Sequence, residues 1–388
     1  MKDETGNDSK LRYVAGCMTG TSLDALDVAL VRIEGRELAM KASLVRSHTI
    51  PLGDLAEPLR GFSEGRPMTA GEVAGLAEEL AHLHLKALME LLRGDKIDLI
   101  AVHGQTVYHS PPASWQLINP VPIAFGLDVP VVYDLRAADI ALGGQGAPIT
   151  PLADFIMFRG GGERRSVVNL GGVCNITQIP GNPGVQPGGD QLKGWTTRVY
   201  GKDVCVCNLL LDLIARELLG LPFDPDGVNA SRGRIQADAV ADLTVLLKNQ
   251  AIDSRSLGVG DVPKGWLEKY RNRYSPQDIA RTACAAIATT LTLPGVLSHR
   301  ILAGGGVANA TLVREIRERS RVPVDLSDDY GVPAKYREAA AVAVLGALCA
   351  DGVPITLPQV TGVLPPPVSG SWVFPGRRSI PPRDSPSN

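Results

Sequence analysis

Neither sign of charge dominates this chain. Its 388 residues carry 39 Lys and Arg against 41 Asp and Glu, a net charge of −2. Nucleic acids and anionic membranes both reward a basic surface, so neither is expected as a partner. Cysteine is scarce: Cys17, Cys174, Cys205, Cys207, Cys284 and Cys349, with no paired CxxC spacing. That spacing argues against a zinc site. Cys205 and Cys207 are too close in sequence to bridge each other without strain, and the pattern fits a reducing, cytoplasmic setting. Aromatic residues make up only 5%, so the cores should be aliphatic. No stretch has the length of a membrane span. The longest candidate, Thr282 to Ser298, carries several threonines and is broken by Pro294, short of the roughly 20 apolar residues required. Met1 to Thr5 has no apolar core, so no secretory signal is expected. A Walker A loop is missing because no GK[ST] follows the Gly-rich turns, and GxGxxG is missing as well. No sequence repeat is visible.

What is present reads as an ordinary globular α/β chain. Apolar residues reach 44% and charged residues 21%, and the length suggests two domains. The 42 Gly and 29 Pro imply many tight turns. Short apolar runs predict strands at 12–16, 27–33, 97–102, 129–134, 167–170 and 300–303. Apolar residues at spacings of three and four predict a helix at 70–93, with others at 208–219, 276–293, 309–319 and 337–350. Strands alternating with helices indicate α/β. The Gly/Pro-rich stretch 179–201 reads as an exposed loop, and the tail after Gly376 as disordered.

Three turns share one plan, a short apolar strand, then glycine, then polar residues: 16–22, 170–175 and 304–309. Such loops let backbone N–H groups approach phosphate oxygens, although a plain structural turn remains an alternative at each. In Gly20-Thr21-Ser22-Leu23-Asp24-Ala25-Leu26-Asp27, hydroxyls suit phosphate and two carboxylates three apart suit Mg²⁺. Gln105, Asp134, Arg136 and the Gly143–Pro148 segment follow predicted strands, where α/β folds place ligands. Their side chains suit sugar hydroxyls. His103 and His109 lack further ligands at metal spacing, so packed or surface histidines are expected. Asp203, ahead of the helix opened by Asn208, reads as a cap, a turn residue or a general base. Glu338 opens an Ala-rich helix, where a carboxylate suits the helix dipole.

Taken together, these motifs resemble the anhydro-N-acetylmuramic acid kinase family and its relative levoglucosan kinase, in the actin/Hsp70/sugar-kinase superfamily. The resemblance runs from about Val14 to Gly376, in the family's order. It rests on Met18 to Asp27 (M-[ST]-G-T-S-x-D-x-x-D), His103 to Thr106 (H-G-Q-T), Asp134 to Arg136 and Gly143 to Pro148 (G-G-Q-G-A-P). It continues through Asn169 to Asn175 (N-L-G-G-x-x-N), Phe223 to Gly227, Gly304 to Leu312 (G-G-G-x-x-N-x-x-L), Glu338-Ala339 and Val360 to Gly362.

The resemblance implies two RNase-H-like lobes, an actin-like ATPase or sugar-kinase fold, with ATP between them. The first lobe would span 11–150, joined by a late crossover helix from 337–376. The second would span 151–336, and 377–388 would be a disordered tail. The implied enzyme uses ATP and Mg²⁺ to open a 1,6-anhydrosugar with water and to phosphorylate O6; a homodimer is possible in such relatives. Asp203 would be the catalytic base. Gly20, Thr21, Ser22, Asp24, Asp27, Gly171, Gly172, Asn175, Gly304, Gly305, Gly306 and Asn309 would face nucleotide or phosphates. Gln105, Arg136 and Asp139 would face the sugar, and Asp24, Asp27 and Glu338 the metal.

Two segments depart from the family pattern. Where relatives carry D-x-G-P-x-N, this chain reads Asp203-Val204-Cys205-Val206-Cys207-Asn208. Losing Gly and Pro would stiffen that loop and make the pocket more apolar, suiting a smaller or less polar sugar or displacing the base. Of K-S-x-G-R-E only Pro263-Lys264-Gly265 is recognisable. A levoglucosan-type kinase, a non-catalytic nucleotide or sugar sensor and a sugar-independent ATPase or phosphatase are the alternatives.

Overall fold

The computed structural model describes residues 11–20, 23–160, 162–181, 189–250, 257–292 and 297–376. The expected tail 377–388, Thr21 and Ser22 lie outside these residues. The described strands, in chain order, are β1 (Arg12–Thr19), β2 (Ala25–Glu34), β3 (Lys41–Pro51), β4 (Leu99–Val102), β5 (Gln105–Ser110), β6 (Ala113–Leu117), β7 (Val131–Tyr133), β8 (Arg165–Leu170), β9 (Val173–Ile179), β10 (Tyr200–Val206), β11 (His299–Ala303), β12 (Val324–Leu326) and β13 (Ser371–Val373).

They form two sheets of one design. The first has the order β13-β7-β4-β1-β2-β3, the second β10-β9-β8-β11-β12. In the first, β1, β2 and β3 make an antiparallel meander, and β4 and β7 add in parallel on the other side of β1. In the second, β8, β9 and β10 make the meander, and β11 and β12 add in parallel beside β8. The duplication absent from the sequence is therefore present in the topology, and this twice-used RNase-H-like order is the two-lobed fold. β5 and β6 form a separate hairpin.

Parallel strands need crossovers, and helices supply them. The helix Ala70–Leu92 begins with a capping box between Thr69 and Glu72 and ends at left-handed Arg93. The helix Pro276–Leu291 is buried along most of its length, with Ser275 as its cap. Between lobes the chain passes through the helix Pro151–Phe158 and returns through Arg337–Ala350. The returning helix is alanine-rich and buried on nearly every side, as a helix with no polar face must be. It packs on β1, β2 and β4. Gly16 makes that approach possible, because a Cβ there would sit 2.1 Å from the Ala339 carbonyl.

The stretch expected as one loop at 179–201 holds the helix Gly189–Thr196 and the start of β10. Asp203 to Val206 is strand, not loop: the cross-strand ladder with β9 continues to Val206, with a bulge between Asp203 and Cys205. Val204, Cys205, Val206 and Cys207 are all buried in the second lobe's core. The departure from the family pattern thus changes core packing, and these side chains do not line an apolar pocket. Among the described residues, no helix is long and apolar enough to cross a membrane.

Candidate active site

The second lobe's half of the site is made by strand register. Asn169 on β8 lies opposite Asn175 on β9, and Asn175 lies opposite Asp203 on β10. Residues directly opposite one another share a sheet face, so the three form a polar row. One Asp203 oxygen accepts the Leu257 N–H at 3.0 Å. Burial pushes the Asp203 pKa up, while that N–H and the Arg136 charge pull it back and Asp261 raises it. Gly171 and Gly172 form the β8–β9 turn, and their carbonyls accept N–H groups from Cys207, Asn208 and Leu209. The Asn208 amide donates to the Leu170 carbonyl at 3.1 Å. The Gly-rich turn is thereby tied to the start of the helix Asn208–Ile214.

Gly304, at φ +86°, ends β11, and a Cβ there would come 2.5 Å from Asn169 Oδ1. No L-side chain fits that approach. Gly306 packs as closely on Leu170, whereas Gly305 faces open space. Asn309 caps the next helix, its Oδ1 accepting the Leu312 N–H at 2.9 Å.

The first lobe repeats the plan with different chemistry. Met18, Asp27 and Thr49 lie opposite one another on β1, β2 and β3. Thr49 donates to Asp27 Oδ1 at 2.5 Å, and Lys335 Nζ stands 3.8 Å from the same oxygen. Burial raises the Asp27 pKa; Thr49 and Lys335 lower it, and Asp24 raises it. Asp24 itself is exposed, and Gly20 accepts the Leu23 N–H across the turn.

Arg136 is held within the first lobe, and its charge is felt by Asp203 of the second. Its Nε and Nη2 donate to His103 Nε2 at 3.1 and 2.8 Å, and Nη1 donates to the Gly146 carbonyl at 3.0 Å. His103 must therefore be neutral, with Nδ1–H donating to the Gly104 carbonyl at 2.9 Å. Burial, then the Arg136 charge, pushes its pKa down to about 3. Burial pushes Arg136 down to about 10, against the pull of Asp203 and Glu338. It stays cationic at neutral pH and favours the ionised form of both carboxylates. Glu338 accepts the Asn169 amide at 3.2 Å, linking the returning helix to β8.

Gln105 and Asn169 are buried, and Gln105 Oε1 and Asn169 Oδ1 have no partner among the described residues. Buried polar atoms of this kind suit a ligand. Asp139, expected at the sugar, lies elsewhere in the chemistry. It is fully buried, and its two oxygens accept the Gly146 N–H at 2.8 Å and the Thr361 hydroxyl at 2.7 Å. Asp139 holds the Gly143–Pro148 loop against the Val360–Gly362 segment. Asp24, Asp27 and Glu338, expected as metal ligands, do not converge: among the described residues no three His, Cys, Asp or Glu side chains form a metal-holding group. These are nevertheless hard oxygen donors, and Mg²⁺ typically takes only one or two carboxylates beside phosphates and water.

Sequence reasoning missed Asp212, Thr49, Lys335 and Tyr336. Asp212 rides the helix Asn208–Ile214, where burial pushes its pKa up to about 6, Arg216 lowers it and Asp24 of the other lobe raises it. Its spacing of four from Asn208 places both on one helix face, the one signal that marks it. Thr49 enters only through the register of β3.

Paired RNase-H-like sheets, with Gly turns and carboxylate-bearing rows near their strand ends, define a two-lobed fold of the sugar-kinase type. The family model "Anhydro-N-acetylmuramic acid kinase" matches residues 12–375. The chain is 33% identical to a protein of that name from Salinibacter ruber, over 94% of this chain and 97% of the relative. It is 29% identical to its namesake from Bacillus cereus, over 94% and 99%. The chain belongs to the anhydro-N-acetylmuramic acid kinase family, and it is a kinase. Among solved structures, the activator of the 2-hydroxyisocaproyl-CoA dehydratase from Clostridium difficile with bound ADPNP aligns at 12% identity. That alignment covers 86% of this chain and 94% of the other, with a TM-score of 0.42.

Proposed function

We propose that this enzyme opens the 1,6-anhydro bridge of 1,6-anhydro-N-acetylmuramic acid with water and transfers the γ-phosphoryl group of ATP to O6. One observation carries the reading. The half-buried Asp203 carboxylate lies in a polar row of the second lobe and feels the Arg136 charge of the first. It is an ionisable base held between two lobes whose Gly turns suit phosphates.

Asp203 removes the proton from the water that attacks C1. The C1–O6 bond breaks, O6 keeps the electron pair and bonds to the γ-phosphorus, and ADP leaves. Arg136 favours the ionised form of Asp203 and offers its remaining donor capacity to sugar oxygens, and Gln105 offers its Oε1, unpartnered among the described residues, to a sugar hydroxyl. Gly20, Gly171, Gly172 and Gly305 face the phosphates in this reading, while Gly304 and Gly306 let the turn pack closely on Asn169 and Leu170. Asn175 and Asn169 present amides on the same face. Asp24, Asp27 and Glu338 supply oxygens for Mg²⁺ or its waters, and the ion offsets phosphate charge when bound. We also propose a cytoplasmic enzyme acting on small molecules, as a homodimer.

Val204 to Cys207 are buried in the core, so the altered segment lends the sensor alternative no support through the lining of the pocket. The test is ADP release with Mg²⁺-ATP and a panel containing 1,6-anhydro-N-acetylmuramic acid, levoglucosan and water alone. Turnover dominated by the first supports the reading. Turnover with levoglucosan alone, or without sugar, replaces it by the corresponding alternative.

A further inference from the structure

Arg337 is a large cationic side chain and is fully buried. Its position is unfavourable twice over. A cation at a helix N-terminus opposes the helix dipole, and a buried charge loses hydration. Asp154, also fully buried, answers it from the outgoing crossover helix. Arg337 Nε donates to Oδ1 at 2.7 Å and Nη2 donates to Oδ2. Nη2 also reaches Thr150 Oγ1 at 3.1 Å, and Thr177 of β9 donates to Asp154 Oδ2 at 2.6 Å. Nη1 has no partner. Two apolar residues of similar volume would commonly hold such a junction as well as a buried ion pair does. What the paired donors add is orientation, since a two-pronged contact fixes the rotation of the planar guanidinium.

The neighbours of Arg337 are where that orientation counts. Ala334 accepts the Gly304 N–H at 2.9 Å. Lys335 stands by Asp27, and the Tyr336 hydroxyl lies 3.1 Å from that of Thr49. Glu338 meets Asn169. Five consecutive residues thus touch the Gly turn of one lobe, the carboxylate of the other, the crossover helix and the end of β8.

We infer that Arg337 is a positioning residue: its pair with Asp154 locks segment 334–338 so that Glu338 and the Asp27 cluster are held in register across the lobes. This rests on the reading of the site as a Mg²⁺-nucleotide site. The experiment compares the full chain with Arg337→Met/Asp154→Leu, Arg337→Lys and Glu338→Gln. Melting temperature, kcat and KM are read for the most active sugar. Calorimetry with a non-hydrolysable ATP analogue, with and without Mg²⁺, is the second readout. The double variant should melt near the parent, lose about tenfold or more in kcat with little change in sugar KM, and lose the Mg²⁺ enhancement of nucleotide affinity as Glu338→Gln does. Arg337→Lys should recover part of both losses. Parental kcat and Mg²⁺ enhancement in a folded double variant overturn the inference. If the double variant does not fold, Arg337→Lys decides: lowered kcat at parental melting temperature supports positioning, and unchanged kcat overturns it. Because the calorimetry needs no sugar, its result stands apart from whether the proposed sugar is the substrate.

Discussion

The two lobes use one strand order for different chemistry. Met18, Asp27 and Thr49 on β1 to β3 occupy the register positions that Asn169, Asn175 and Asp203 occupy on β8 to β10. In the first lobe the carboxylate stands on the middle strand, with a hydroxyl and an ammonium beside it. In the second it stands on the outer strand, takes one backbone N–H and feels an arginine from the other lobe. A carboxylate beside a lysine and an exposed second carboxylate suits a charged, metal-carrying ligand. A carboxylate raised by burial yet steadied by one cation suits proton removal. Under the proposed function, the same scaffold gives one lobe the work of holding and the other the work of proton transfer.

The largest expected effect separates the two rows. Asp203→Asn should lower kcat by about 10²- to 10⁴-fold while calorimetry shows nucleotide binding unchanged. Asp27→Asn should do the reverse in binding, weakening Mg²⁺-nucleotide affinity while leaving the affinity for sugar alone intact. Loss of nucleotide binding in Asp203→Asn would break the division of labour.

Arg136→Met comes next and sharpens the electrostatic side. Asp203 must be ionised to act as a base, and Arg136 favours that form. Without it the Asp203 pKa rises, so the acid limb of kcat/KM moves to higher pH. An unmoved limb would show that Arg136 does not act on the base. In the Gly turns, Gly304→Ala should destabilise by about 1–3 kcal/mol in chemical denaturation, because of its positive φ and the Asn169 oxygen beside it. Gly305→Ala should be nearly neutral. Smallest for catalysis is Asp139→Asn: it should cost about 1–3 kcal/mol of stability with sugar KM little changed.

Strands β1 and β2 and the helices at 70–92, 276–291, 310–319 and 337–350 were legible because their patterns are local. The helix 70–92 shows its period and its Thr69–Glu72 cap, and left-handed glycines such as Gly304 announce their turns. β3, β9 and β10 were not legible as strands. Their polar residues, Thr49, Asn175 and Asp203, face the site, so the hydrophobic alternation that marks a strand is interrupted where function sits. Asp139 was misread for a related reason. A carboxylate near a Gly-rich segment looks alike whether it faces a ligand or two N–H and O–H donors inside the fold, and only the contact with Thr361, far along the chain, tells them apart. The ion pair of Arg337 with Asp154 is equally non-local.

The most direct measurement of the central claim is turnover of 1,6-anhydro-N-acetylmuramic acid with Mg²⁺-ATP in ¹⁸O-labelled water, with the product analysed by mass spectrometry. The account expects one ¹⁸O at the C1 hydroxyl, none in the phosphate on O6, and one ADP per ring opened. Label in released inorganic phosphate, or ADP formed without ring opening, would contradict it.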